Sequence, residues 1–291
     1  MSNAQLDQFR ESLDRAGYSY NTQKSYVFDA EKFLNFFSEL PEETRPTLDR
    51  IGKEDISKYF KRRNFRPSTA RRNLIALSTF FQVSGIEPGF LTDKTFGLEW
   101  KDSLIRYKPF GDEEYIKVQE SLLSIPDSYV LSRNATIAHL LYLGGLRTEE
   151  ISHLDIGDVV YRGSQMHVSI RQKAPRGREV AMTSEDPIID LTQYPVRRAE
   201  FLENKSRSSD AFLLNVGNNR SRRVEKLSAR GIRRDVIGKF LAHAGLSDYS
   251  VLDVVHGCRK RFAQQGASYD QIRKRMGIKL PDAQLKLKLN L

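Results

Sequence analysis

Residues 255–267 read VHGCRKRFAQQGA. His256 and Arg259 stand three positions apart, so a helix through this stretch sets an imidazole and a guanidinium on one face or at its N-terminus. Either side chain equally suits a satisfied, partly buried place in a core. Upstream, residues 229–246 (ARGIRRDVIGKFLAHAGL) read as helix, and the chain reads helical from Arg220 onward. Earlier still, Met166, Val168 and Ile170 alternate with His167, Ser169 and Arg171. A turn, APRG, then leads into Arg178 to Met182, where Val180 and Met182 alternate, which predicts an antiparallel hairpin. Lys173 falls in that turn, where an ammonium can reach a leaving oxygen, although hairpin turns commonly carry lysine without any chemical role. Residues 145–151 (GLRTEEI) place Arg147 at a helix start with Glu150 one turn on. Such a guanidinium, held by a carboxylate near backbone N–H groups, suits a phosphate. Taken alone, the same pair is an ordinary surface ion pair.

The remainder divides into two parts. Residues 1–85 predict a compact domain of four helices. Leu6, Phe9, Leu13 and Ala16 line the first, which stops at Gly17; Asn21 is the expected cap of the second, with Tyr26, Ala30, Phe33, Leu34 and Phe37 on its apolar face. Ile56, Tyr59 and Phe60 mark the third, and Ser68 is the expected cap of the fourth, lined by Leu74, Leu77 and Phe81. Residues 86–111 sustain no period and carry two prolines, which predicts a linker. The second domain, 112–291, opens with helices at Asp112–Leu123 and Asn134–Leu143 and contains the hairpin. The expected class is therefore mainly α with a small antiparallel β-sheet.

The chain has 291 residues, of which 47 are lysine or arginine and 37 are acidic, for a net charge of +10. That excess points to a polyanionic partner. The polar start and the absence of a long apolar run argue against secretion and membrane spanning, and the single cysteine, Cys258, fits a reducing cytoplasm. The histidines show no metal-ligand spacing, so no metal is expected. Basic side chains cluster twice: Lys61, Arg62, Arg63, Arg66, Arg71 and Arg72 between the third and fourth helices, and residues 220–239, where Arg222, Arg223, Lys226 and Arg230 are among eight basic against two acidic residues. A charge run is ordinarily a solvated face. Two runs in separate domains, with a further basic stretch after Val251, favour nucleic acid, whose phosphates such groups neutralise.

Taken together and in order, GLRTEEI, QKAPRGREV, ARGIRRDVIGKFLAHAGL and VHGCRKRFAQQGA resemble the catalytic domain of the tyrosine recombinase (phage integrase) family, and the helical opening closed by PSTARRNLIALSTFF resembles its core-binding domain. The resemblance covers nearly the whole chain. It implies a two-domain, C-shaped clamp on duplex DNA. By position, Arg147 and Arg259 would hold the scissile phosphate, Lys173 would protonate the departing 5′ oxygen and His256 would assist proton transfer. The family needs no metal or other cofactor.

One departure bears on the chemistry. The family follows its His-x-x-Arg box with glycine and then histidine or tryptophan, and about nine residues later with the nucleophilic tyrosine. Here Met276-Gly277 is followed by Ile278, the residue nine further on is Leu287, and no tyrosine follows Tyr269. Leucine has no oxygen to attack phosphorus. Three readings stay open: a DNA-binding, cleavage-deficient architectural, regulatory or partner subunit; an active site-specific recombinase whose nucleophile is Tyr269 or a tyrosine supplied in trans; or an RNA- or protein-binding scaffold. Cys258 reads as a small packed residue rather than a nucleophile. Leu285, Leu287, Leu289 and Leu291 alternate with polar residues, so the last stretch is expected as a strand suited to self-association or to docking on a second recombinase subunit. The expected location is cytoplasmic and DNA-associated.

Overall fold

The computed structural model describes residues 3–65, 67–87, 89–97, 108, 110–171, 177–183, 185, 188–216 and 224–278. Lys173, Arg66, Arg222, Arg223 and the stretch containing Leu287 lie outside them. The chain divides into two compact units, 1–103 and 104–291.

The first unit holds α1 (Asn3–Arg15), α2 (Tyr20–Ser38), α3 (Lys53–Arg63) and α4 (Pro67–Val83), with two short 3-10 turns between α2 and α3. Apolar residues recurring every three or four positions turn one stripe of each helix inward. Phe9, Phe33, Phe37, Tyr59, Phe80 and Phe81 meet there largely edge to face, with Phe9 and Phe80 centroids 5.2 Å apart and Phe33 and Tyr59 5.3 Å apart. Two expected caps are displaced. The second helix is capped by Ser19, whose hydroxyl accepts from the Thr22 N–H, so Asn21 lies inside the first turn. The fourth begins at Pro67, one residue before the expected cap Ser68, because proline at the first helical position loses no hydrogen bond.

The second unit is built around α6 (Ser128–Tyr142), which is buried on nearly every side. Before it comes α5 (Asp112–Leu122), and after it α7 (Thr148–Ser152). Then follow β1 (Val159–Arg162), β2 (Gln165–Ile170) and β3 (Arg178–Thr183), an antiparallel sheet in that order in which Val168 faces both Val159 and Val180. Helix α8 (Gln193–Asn204) leads to the short pair β4 (Leu214–Asn215) and β5 (Glu225–Lys226). The chain ends, within the described residues, in α9 (Ala229–Gly231), a π-helical turn Ile232–Ile237, α10 (Gly238–His243), α11 (Val251–Gln264) and α12 (Tyr269–Met276).

Two further expectations are corrected here, and two elements were not read from the sequence. Helix α6 starts at Ser128, not Asn134, because Asp127 caps it by accepting from Val130 N–H. The hairpin gains a third strand, β1, too short to alternate visibly. The stretch after Arg220 is not helical throughout, since Glu225–Lys226 pairs with Leu214–Asn215. Helix α8 was masked by Arg198, which takes a buried place in the stripe between Tyr194 and Leu202 and donates to the carbonyls of Ser209 and Ala211 at 2.6 and 2.7 Å.

Two local devices fix the framework behind the site. His139 is buried between Tyr115 and Thr183. The Thr183 carbonyl can only accept, so His139 Nε2 carries the proton (2.6 Å), and its Nδ1 takes the Tyr115 hydroxyl (3.0 Å), joining α5, α6 and β3. Gly257 lets α11 pass against the backbone carbonyl of Phe110, which a side chain there would strike. Beside it, the Lys108 N–H donates to Asp253 at 2.8 Å and the Lys108 ammonium pairs with Asp248.

Candidate functional site

Arg147 is delivered by the turn that ends α6. Gly145 adopts φ +65°, and its missing side chain leaves room for Met276 and for the Cys258 Sγ, 3.0 Å from where a Cβ would stand. The turn is therefore packed directly on α11 and α12. Arg147 itself caps α7, with its backbone N–H donating to Glu150 Oε2 at 2.8 Å. Its guanidinium donates to Glu150 Oε1 (3.2 Å) and to the carbonyls of Gly277 (2.7 Å) and Met276 (3.3 Å), at the negative C-terminal end of α12. The side chain nonetheless remains 45% exposed.

His256 and Arg259 lie one turn apart on α11, whose start is fixed by a reciprocal cap between Ser250 and Asp253. Arg259 Nη1 donates to His256 Nε2 at 3.2 Å, and His256 is buried. Since Cys258, between them, packs against the Arg147 turn, the two halves of the expected phosphate clamp stand on contacting elements. Burial pushes the Cys258 thiol up to about 12 despite Arg275, Arg261 and Arg259 nearby, so it stays protonated.

Two residues contribute that sequence reasoning missed. Arg178, at the start of β3, forms a bidentate pair with Glu150 (2.6 and 2.8 Å) and donates from Nε to the Arg275 carbonyl at 2.9 Å. Arg275 lies over the Phe262 ring at 4.1 Å and donates to the Ala181 carbonyl at 2.6 Å, fastening α12 to α11 and β3. The signal for Arg178 is parity: it shares the core-facing side of its strand with Val180 and Met182. A guanidinium on that side requires a buried partner.

Ile278 follows the left-handed Gly277 and packs on the core, where it offers no hydrogen-bond donor from its side chain. Tyr269 opens α12 and packs partly buried on the same core. Gly277 lies eight positions further on, about 12 Å along the axis, and helical side chains lean towards the N-terminus, away from Arg147.

The basic clusters differ in their partners. Arg72 is bidentate to the buried Asp29, both contacts at 2.9 Å, and Arg71 meets Asp93 at 2.5 Å, so both are tied to acidic groups of the first unit. Lys61, Arg62 and Arg63 form the exposed last turn of α3, where Arg62 stands 3.5 Å from Glu39 and the Arg63 guanidinium lies over Tyr59. Lys226 on β5 meets Asp155 at 3.4 Å, and Arg230 is exposed on α9. Among the described residues no cluster fit to hold a metal ion is found, and no helix is long and apolar enough to cross a membrane.

Residues 6–84 match the phage integrase N-terminal SAM-like domain family. Over nearly its full length the chain is similar to tyrosine recombinase XerC of Herpetosiphon aurantiacus, 22% identical across 94% of this chain and 86% of that protein. XerC of Thermodesulfovibrio yellowstonii is 26% identical across 79% and 72%. Among solved structures, XerH recombinase bound to a palindromic difH substrate shares the fold with a TM-score of 0.69 at 16% identity, covering 99% of this chain and 81% of that one. A lambda integrase (75–356) dimer bound to a COC' core site gives 0.66 at 15% identity, covering 99% and 95%.

Proposed function

We propose, from the similarity to tyrosine recombinases, that the chain is a member of that family which grips duplex DNA by a backbone phosphate at Arg147 and Arg259 without cleaving it. Such a protein would serve as an architectural, regulatory or partner subunit in DNA recombination. The carrying observation is Arg147: its backbone and inner edge are fixed by Glu150 and the end of α12, while nearly half of its side chain faces solvent. A guanidinium held in place beforehand meets a phosphate oxygen with little further ordering. Arg259 and His256 would offer N–H groups from the neighbouring helix, and Lys173 one from the hairpin. The exposed basic turn of α3 would add sequence-independent contacts from the first unit.

Cleavage requires an oxygen in line with the departing 5′ oxygen. Leu287 supplies none, Ile278 supplies no second phosphate donor, and Tyr269 sits at the far end of α12 from Arg147. The phosphodiester would therefore be held and left intact. The relatives are recombinases, and lambda integrase is seen as a dimer on DNA, which supports association with a second recombinase subunit; we assign that contact to the stretch around Leu285 to Leu291.

Incubation with a nicked suicide duplex tests the reading. The expected result is binding without a covalent protein–DNA species, and a gain of covalent product for Leu287→Tyr combined with Ile278→His. An adduct from the unaltered chain that disappears in Tyr269→Phe would establish an active recombinase with a displaced nucleophile.

A further inference from the structure

Glu150 is an uncomfortable neighbour for a phosphate-binding arginine. Its carboxylate is only 9% exposed, and a lone buried carboxylate beside Arg147 would cancel the charge that an anion is meant to meet. Glu150 is not alone with Arg147. Its two oxygens each accept from both arginines: Oε1 from Arg147 Nη1 and Arg178 Nη1, and Oε2 from the Arg147 backbone N–H and Arg178 Nη2. One negative charge thus faces two positive ones, and the closer, fork-to-fork partner is Arg178.

We infer that Arg178 is a positioning residue which supplies the counter-charge to Glu150, so that Glu150 orients Arg147 without neutralising it. This rests on the reading of Arg147 as a phosphate ligand given above. Arg178 is set back from any ligand at Arg147, because it is 9% exposed and each of its three nitrogens already donates to Glu150 or to the Arg275 carbonyl. It also fixes the second support of Arg147. The carbonyl it holds belongs to the last turn of α12, one and two residues before the carbonyls that receive the Arg147 guanidinium. Gly277 is shaped to this contact: a Cβ there would stand 2.6 Å from Arg178 Nη1.

The test is the salt dependence of binding to a short duplex DNA, measured with folded protein whose thermal unfolding is followed in parallel. Arg147→Ala is expected to lower the slope of log affinity against log salt by ~0.9, one phosphate contact. Arg178→Gln, with Arg147 intact, is expected to lower it by a similar amount and to weaken binding about tenfold at fixed salt, because Glu150 then pairs with Arg147 alone. The double variant Glu150→Gln with Arg178→Gln removes the competing carboxylate and is expected to recover the slope. A purely structural role for Arg178 would leave the double variant no better than the single one, and that result overturns the inference, as does an unaltered slope in Arg178→Gln. If the single variant does not fold, the double variant decides: a recovered slope supports the inference and a lowered slope overturns it. An unaltered slope in Arg147→Ala removes the phosphate reading at Arg147 and this inference together, whereas an effect at Arg147 with none at Arg178 removes the inference alone.

Discussion

Arg72 and Lys61 carry the same charge in the same helical unit and stand in different surroundings. Arg72 answers a buried carboxylate, Asp29, through two hydrogen bonds of 2.9 Å. Arg72→Ala should therefore leave a buried acid without its partner and lower stability by about 2 kcal/mol, the half-exposed position letting water soften the loss. Lys61→Ala, on the exposed end of α3, should shift stability by less than about 0.5 kcal/mol and weaken DNA binding instead. Urea unfolding and a binding titration on the two variants separate the roles. Equal stability losses would contradict the division. Cys258 makes another single-residue statement: at 1% exposure, with its thiol pushed up to about 12, it should resist iodoacetamide at pH 8 until the chain is unfolded in denaturant. Rapid native alkylation, read by mass spectrometry, would show that α11 opens locally.

At the scale of elements, α12 is the piece on which the site leans. It ends in Gly277 at φ +58°, a left-handed cap that a side chain adopts only under strain, and the Arg178 guanidinium fills the space where a Cβ would go. Gly277→Ala should loosen the end of the helix by about 1–2 kcal/mol and raise amide hydrogen exchange in α12 without altering α1 to α4. Unchanged exchange in α12 would mean that the contact is not holding the helix. How much of this was legible depends on how each element announces itself. Helices of the first unit and the hairpin were legible because their apolar residues keep a clean period, as in Phe33, Leu34 and Phe37 or Val180 and Met182. Helix α8 was hidden by Arg198 in its buried stripe, and β1 by its four-residue length. The positions of Arg147, His256 and Arg259 were suggested by ordered motifs. The partnership of Arg178 with Glu150 joins residues 28 apart in sequence, and local spacing reports no such long-range pairing.

For the whole molecule, the net charge of +10 is spread over two units that each bury their own apolar core. Some of that charge is internal, as Arg72, Arg71 and Arg178 show, so the formal figure overstates what a polyanion would meet. The triple change of Lys61, Arg62 and Arg63 to alanine should reduce the salt slope of DNA binding by up to about 3 while leaving the second unit's unfolding unaffected. A slope equal to that of the unaltered chain would remove the first unit's basic turn from the interface.

The glycine between His256 and Arg259 has a mechanical meaning. The chain entering the second unit is riveted to α11 at three successive places: Lys108 to Asp248 just ahead of the helix, the Lys108 N–H to Asp253 in its first turn, and the Phe110 carbonyl against Gly257. Tension arriving along the backbone at residue 108 is delivered into the helix that bears His256 and Arg259, within one turn of both.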